Sequence, residues 1–244
     1  MVTFSPTELQ AVVFDLDNTL LRSRMGARRG LQVAARLISS ELKKKGLAYP
    51  ESNLFRRLQL IDREMHGRKF LYNKDVWWKT LLAELRLGTR LPWIHRVTLQ
   101  YWKAYANNSP PFQDAERTLQ AIKKMGLKIG LVSDSDGTAG MKRRRIRRVA
   151  FHRLFEAVVV SGEDTSRVKP GHESFSLIAK QLHVEPRSCV YVGDNPRTDI
   201  AGAKAVGMIS IIVKRKHNSG GGPAYRISRL SVLPSLLRSI QRER

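Results

Sequence analysis

Asp15 and Asp17 stand one residue apart, directly after four apolar residues, in the stretch AVVFDLDNTLL at residues 11–21. Two unit charges ~4 Å apart repel by about 1 kcal/mol in water and about 4 kcal/mol at an effective dielectric of 20, so this spacing asks for a cation or a shared proton. Three later segments also set polar residues at the exit of an apolar run. IGLVSDSDG ends a strand at Ser133, with Asp134 and Asp136 beside it; VKPGHESF places Lys169 before a proline and a helical pattern; VYVGDNPRTDI carries Asp194 and Asp199. Several carboxylates, one lysine and one hydroxyl in a single crevice suit an oxygen-ligated hard cation together with an anionic substrate. Mg²⁺ is the natural candidate, because it takes one or two carboxylates, keeps several waters and accepts phosphate oxygens.

The elements that must position these groups are legible in the patterning. A short β-branched run without alternation suits a central parallel strand, and its carboxyl end is where open α/β sheets bind ligands. After that strand, four segments between residues 24 and 106 show apolar positions at three- and four-residue spacing. They begin at GLQVAAR, ESNLFRR, KDVWWKT and PWIHRVT and are punctuated by Gly46, Pro50, Gly67, Gly88 and Pro92. From residue 110 helical and strand patterns alternate, which predicts a parallel sheet with right-handed crossovers. The expected fold class is α/β, a Rossmann-like parallel sheet core with an inserted all-helical domain. Core residues are 1–21 and 110–244, and the insertion is 22–109. The tract NSGGGP at 218–223 reads as a flexible loop before a last amphipathic segment, YRISRLSVLPSLLRSI.

With these motifs in this order, the sequence resembles the haloacid dehalogenase-like (HAD) phosphohydrolase superfamily. DLDNTL looks like its first motif, Ser133 its second, Lys169 its third and GDNPRTD its fourth; the helical insertion is similar to the C1 cap of the phosphoglycolate phosphatase-like branch. The resemblance implies that Asp15 is a nucleophile forming an aspartyl-phosphate and Asp17 a general acid and base. It implies that Asp15, the backbone carbonyl of Asp17 and Asp194 hold Mg²⁺, with Asp199 behind them or acting through water. Ser133 and Lys169 would bind phosphoryl oxygens, with Asp134 a further member of the phosphate-binding set. Dehalogenase members typically lack the second acid, so Asp17 favours phosphoryl transfer. SDSDG departs from the Thr-Asn or Ser-Asn usual in the second motif, and its extra acids, Asp134 and Asp136, are placed to alter leaving-group contacts or metal affinity.

The chain has 244 residues, 42% of them hydrophobic, and a formal charge of +23 from 44 basic and 21 acidic residues. The basic excess lies outside the segments that carry the four motifs, in 22–109, 142–148 and 214–244. It raises a second reading, a nucleic-acid-associated protein on the same scaffold that binds phosphate backbones. The favoured partner is instead a small phosphorylated metabolite, with the chain a monomer or homodimer. KRRRIRR at 142–148 reads as a solvated helical face with Ile146 turned inward. Trp77, Trp78, Trp93, Tyr101, Trp102 and Tyr105 read mainly as core of the insertion, with one of the adjacent Trp77 and Trp78 free to approach the cleft. The six histidines are scattered without ligand spacing. A single cysteine, Cys189, excludes an intramolecular disulfide and reads as core filler. No apolar run approaches a membrane span and residues 1–10 lack a signal-peptide pattern, so a cytoplasmic location is expected.

Overall fold

The computed structural model describes residues 8–66, 72–214 and 222–242. Gly67, His217, residues 1–7 and most of the 218–223 loop lie outside the described residues. The first strand, β1 (Ala11–Phe14), is buried at every position. Val12 and Phe14 join the apolar cluster on one side of the sheet with Leu119, Ile122 and Leu237, while Ala11 and Val13 join the other with Phe175, Ile178 and Ala203. A strand sealed on both faces leaves no position for a polar alternate, hence its uniform sequence. Each buried Val or Phe side chain stabilises the fold by about 1.5–3 kcal/mol.

The sheet has the order β3-β2-β1-β4-β5-β6 and every pairing is parallel. Its other strands are β2 (Lys128–Asp134), β3 (Ala157–Ser161), β4 (Cys189–Gly193), β5 (Ile209–Val213) and β6 (Tyr225–Ile227). From β1 the chain moves outward through β2 to β3, then returns to β4 and moves outward the other way. Such a reversal opens a crevice beyond the carboxyl ends of the central strands. This is the Rossmann-like α/β arrangement expected from the alternation. The C-terminal segment departs from the expected single amphipathic stretch. Tyr225 and Ile227 flank the exposed Arg226 with period two and extend the sheet, and a helix follows only at Leu233–Arg242, burying Leu233, Leu237 and Ile240.

The chain divides into two compact units, one of residues 1–21, 111–135 and 140–244, the other of residues 22–110 with 136–139. The second contains α1 (Ser23–Lys43), α2 (Glu51–Glu64), α3 (Lys74–Glu84) and α4 (Ile94–Asn107). Its core is aromatic: Trp77 and Trp78 are fully buried, the Trp78 indole donates to Thr98 Oγ1 at 2.7 Å, and the Tyr101 and Trp102 rings meet edge to face at 4.9 Å. Neither Trp77 nor Trp78 is therefore left for a cleft. Packing takes both because neighbouring helical positions face different partners, His66 for Trp77 and Tyr101 for Trp78. Among the described residues, no helix is long and apolar enough to cross a membrane.

α1 approaches α4 through Gly26 and Gly30. A Cβ on Gly30 would lie 2.7 Å from the Tyr101 ring, and one on Gly26 would strike the Tyr105 carbonyl and Ser109 Oγ. Alanine gains up to about 1 kcal/mol over glycine inside a helix. Overpacking costs about 1–3 kcal/mol, and a main-chain carbonyl cannot rotate aside. Gly26→Ala is therefore expected to lower Tm by about 2–8 °C in a melt followed by far-UV circular dichroism. An unchanged or raised Tm would contradict the close α1–α4 approach.

Candidate active site

Asp15 continues the β1–β4 ladder one residue past the strand, its N–H donating to the Val192 carbonyl at 2.9 Å. The turn that follows is pinned by the buried Leu16, whose carbonyl accepts from Leu20 and Leu21 at 2.9 and 3.0 Å. Asn18 turns the chain with a φ of 66°, a left-handed conformation that asparagine adopts more readily than most residues. Asp17 thus stands immediately beyond the sheet.

Lys169 gathers the other strand ends. Its ammonium lies 2.7 Å from Asp15 Oδ1 and 2.7 Å from Asp199 Oδ1, and its main-chain N–H donates to Asp134 Oδ1 at 2.8 Å. Asp134 therefore ties the lysine loop to the end of β2. Asp199 Oδ2 accepts the amides of Asp194 and Asn195 at 3.1 and 3.0 Å. This approach depends on Gly193, where any Cβ would collide with the Asp199 side chain. Ser133 is buried at the end of β2 beside Val160 of β3. Among the described residues, Asp15, Asp194 and Asp199 form a group with metal-ligand spacing, offering carboxylate oxygens within 4.8 Å of one another. Asp136 is buried too, but belongs to the helical unit.

Burial pushes the Asp15 carboxyl up to about 7, against the pull of Lys169 and with help from Asp199 and Asp17. Burial alone would lower Lys169, yet Asp15 and Asp199 outweigh it and hold the ammonium well above its usual range. Asp134 is also raised by burial. Desolvation is thus the main pressure on these carboxyls, and the one ammonium opposes it. Sequence reasoning missed Tyr191, whose hydroxyl lies 3.5 Å from Lys169 Nζ and 3.4 Å from Asp199 Oδ1. A phenol in an otherwise aliphatic strand, two residues before an acidic turn, was the available signal. The Cys189 thiol at the start of β4 is pushed up to about 12 by burial.

Of the core unit's next helices, α5 (Ala115–Lys124) and the basic α6 (Met141–Arg147), the second departs from the expected solvated face. Arg144 and Arg147 are exposed, but Lys142 and Arg145 are buried, and each donates to Asp17: Lys142 Nζ to Oδ2 and Arg145 to Oδ1, both at 2.6 Å. The i,i+3 spacing puts the two cations on one face, where the negative charge of Asp17 offsets their desolvation.

The haloacid dehalogenase-like hydrolase family matches residues 9–207, and the chain belongs to that family. It is 27% identical over 242 residues to the glyceraldehyde 3-phosphate phosphatase of Methanopyrus kandleri, covering 96% of this chain and 100% of the relative. It is 27% identical over 246 residues to human N-acylneuraminate-9-phosphatase, with 96% of each chain covered. The crystal structure of a HAD phosphatase from Thermococcus onnurineus superposes with a TM-score of 0.69 at 25% identity, over 93% of this chain and 97% of that one. The alternative of a nucleic-acid-binding scaffold gains no support from these relatives.

Removing the shared ammonium tests the electrostatics directly. In Lys169→Met the two acids lose their counter-charge, a change that typically costs about 3–5 kcal/mol in a buried pair. The folded-state Asp15 carboxyl, already above its unfolded value of 3.8, rises further without Lys169. A raised acid contributes stability below its unfolded pKa and loses it as pH climbs through the folded one. The Tm difference between wild type and Lys169→Met should accordingly widen from pH 5 to pH 8. A gap that stays constant or narrows would refute this account.

Proposed function

We propose that this chain is a Mg²⁺-dependent phosphatase that hydrolyses a small phosphomonoester through an aspartyl-phosphate on Asp15. The observation that carries the reading is the buried Asp15–Lys169–Asp199 contact with Asp194 alongside, at the point where the sheet order reverses. Relatives over nearly the full chain support it, since their names give small phosphorylated metabolites as substrates.

The donor set fits Mg²⁺. It is made of carboxylate oxygens of Asp15, Asp194 and Asp199 within 4.8 Å of one another, the hard oxygen donors that this ion takes. Asp15, Asp194 and the main-chain carbonyl of Asp17 would hold the ion, with Asp199 behind them. When bound, Mg²⁺ supplies Lewis-acid polarisation of a phosphoryl oxygen.

The chain's own groups then divide the work. An Asp15 oxygen attacks phosphorus, forming a P–O bond as the bond to the leaving alkoxide breaks, and Asp17 gives that alkoxide its proton. In the second half Asp17 takes a proton from water as the water oxygen attacks phosphorus, and the bond from phosphorus to Asp15 breaks. Lys169 and Ser133 bind phosphoryl oxygens, and Lys169 keeps Asp15 charged before attack. Asp199 orients Lys169 and, through the amides of Asp194 and Asn195, the fourth-motif turn. Asp134 holds the lysine loop at its backbone. The helical unit of residues 22–109, inserted between Asp17 and Ser133, acts as the substrate-selecting cap.

Phosphate release from a panel of phosphomonoesters, with and without Mg²⁺, tests the reading. Wild type should turn over only with the ion, and Asp15→Asn should lose at least about 10³-fold in kcat, as expected when a covalent nucleophile is removed. Release equal in the variant would exclude Asp15 as nucleophile, and no release from any ester would exclude phosphatase activity.

A further inference from the structure

We propose that Tyr191 is a positioning residue for phosphoryl transfer: its hydroxyl, delivered by a central strand, holds the Lys169 ammonium in place while Asp15 attacks phosphorus. This deepens the phosphatase reading and rests on it.

The hydroxyl stands on a frame that its charged neighbours lack. β4 runs between β1 and β5, with Tyr191 opposite Val13 on one side and Ser210 on the other, and the residue is wholly buried. Its ring packs against Phe175 of α7 (Glu173–Gln181), the centroids 4.9 Å apart. Lys169 and Asp199, by contrast, lie outside the sheet, in the segment before α7 and in the helical turn after β4. A polar group on a central strand is a fixed reference for charged side chains that turns and loops carry.

The hydrogens here can be assigned one by one. An ammonium donates three, and among the described residues Lys169 finds three side-chain acceptors: Asp15 Oδ1 and Asp199 Oδ1, both at 2.7 Å, and the Tyr191 oxygen at 3.5 Å. Burial holds the phenol well above its ordinary range, so the hydroxyl keeps its own proton for the Val132 carbonyl or Asp199 Oδ1, each at 3.4 Å. Every contact of the hydroxyl is long for a hydrogen bond. It therefore tethers the ammonium without competing with the acids for it.

That tether gains weight during the reaction. As Asp15 gives an electron pair to phosphorus, its carboxylate loses charge and its hold on the ammonium weakens. Asp199 and Tyr191 are then the protein contacts that keep Nζ in place while the freed hydrogen turns to a phosphoryl oxygen. An interaction that counts for more at this stage than before it acts on kcat rather than on KM. Misplacing a group by about 1 Å costs up to about 10²-fold, so losing one weak tether should cost about 5- to 30-fold.

The test measures kcat and KM, with Mg²⁺ and the ester that wild type turns over fastest, for wild type, Tyr191→Phe and Ile178→Val, together with a thermal melt of each. Phenylalanine keeps the ring against Phe175 and removes the oxygen alone, whereas Ile178 lies in the same apolar cluster and its change loosens packing only. Tyr191→Phe should lose about 5- to 30-fold in kcat with KM within about twofold of wild type. Ile178→Val should lower Tm and keep kcat within about twofold. An unchanged kcat in Tyr191→Phe, a loss carried by KM, a Tyr191→Phe protein that fails to fold, or an equal kcat loss in Ile178→Val would overturn the inference and leave the phosphatase reading intact. No release by wild type from any ester would overturn both.

Discussion

The ammonium of Lys169, buried between Asp15 and Asp199, is the interaction on which the organisation of the core unit depends. It joins groups 154 and 30 residues away in sequence, each at 2.7 Å. Everything near it is arranged to keep that contact short and dry. Tyr191 adds a hydroxyl from β4, Gly193 omits a side chain so that Asp199 can enter, and Asp134 grips the lysine's own backbone. These are polar groups in a place where water would otherwise solvate them, so each needs a partner within the protein.

Such a concentration of charge opposes folding, and the sheet offsets it. The acids sit at the ends of strands whose apolar residues are covered on both sides, so the unfavourable electrostatics are carried by the best-packed part of the molecule. Position follows from topology as well as from packing. Because the connections diverge from β1 toward both edges, no crossover covers the ends of β1, β2 and β4, and the acids can face a ligand there. Family membership and the arrangement of these groups agree on hydrolytic chemistry.

Much of this was legible in the residues. Apolar runs ending in Asp15, Ser133 and Asp194 marked the strand ends, since a strand sealed on both faces has a distinctive composition, and the proline after Lys169 marked a loop. The four helices of the insertion followed from their periodicity. What stayed hidden depends on contacts between distant segments. Lys142 and Arg145 meet Asp17 across 125 and 128 residues, and within their own helix nothing separates them from the exposed Arg144 and Arg147. A run of basic residues has almost no amphipathic signal, so its inward face emerges only when the partner acid is in place. Asp134 was similarly opaque: a carboxylate next to a serine at a strand end gives no hint that it will hold the backbone of a loop 35 residues later. β6 was missed because three residues are too few for alternation to stand out against the helix that follows.

The lone cysteine bears on how such an enzyme would meet oxidative stress. Cys189 is completely enclosed and its thiol stays protonated far above neutral pH, so it presents no thiolate to peroxide or disulfide. The groups assigned to the chemistry are carboxylates, an amine and a hydroxyl, none of which climbs the sulfur oxidation ladder. The chemistry assigned to Asp15 thus offers oxidants no thiolate to attack.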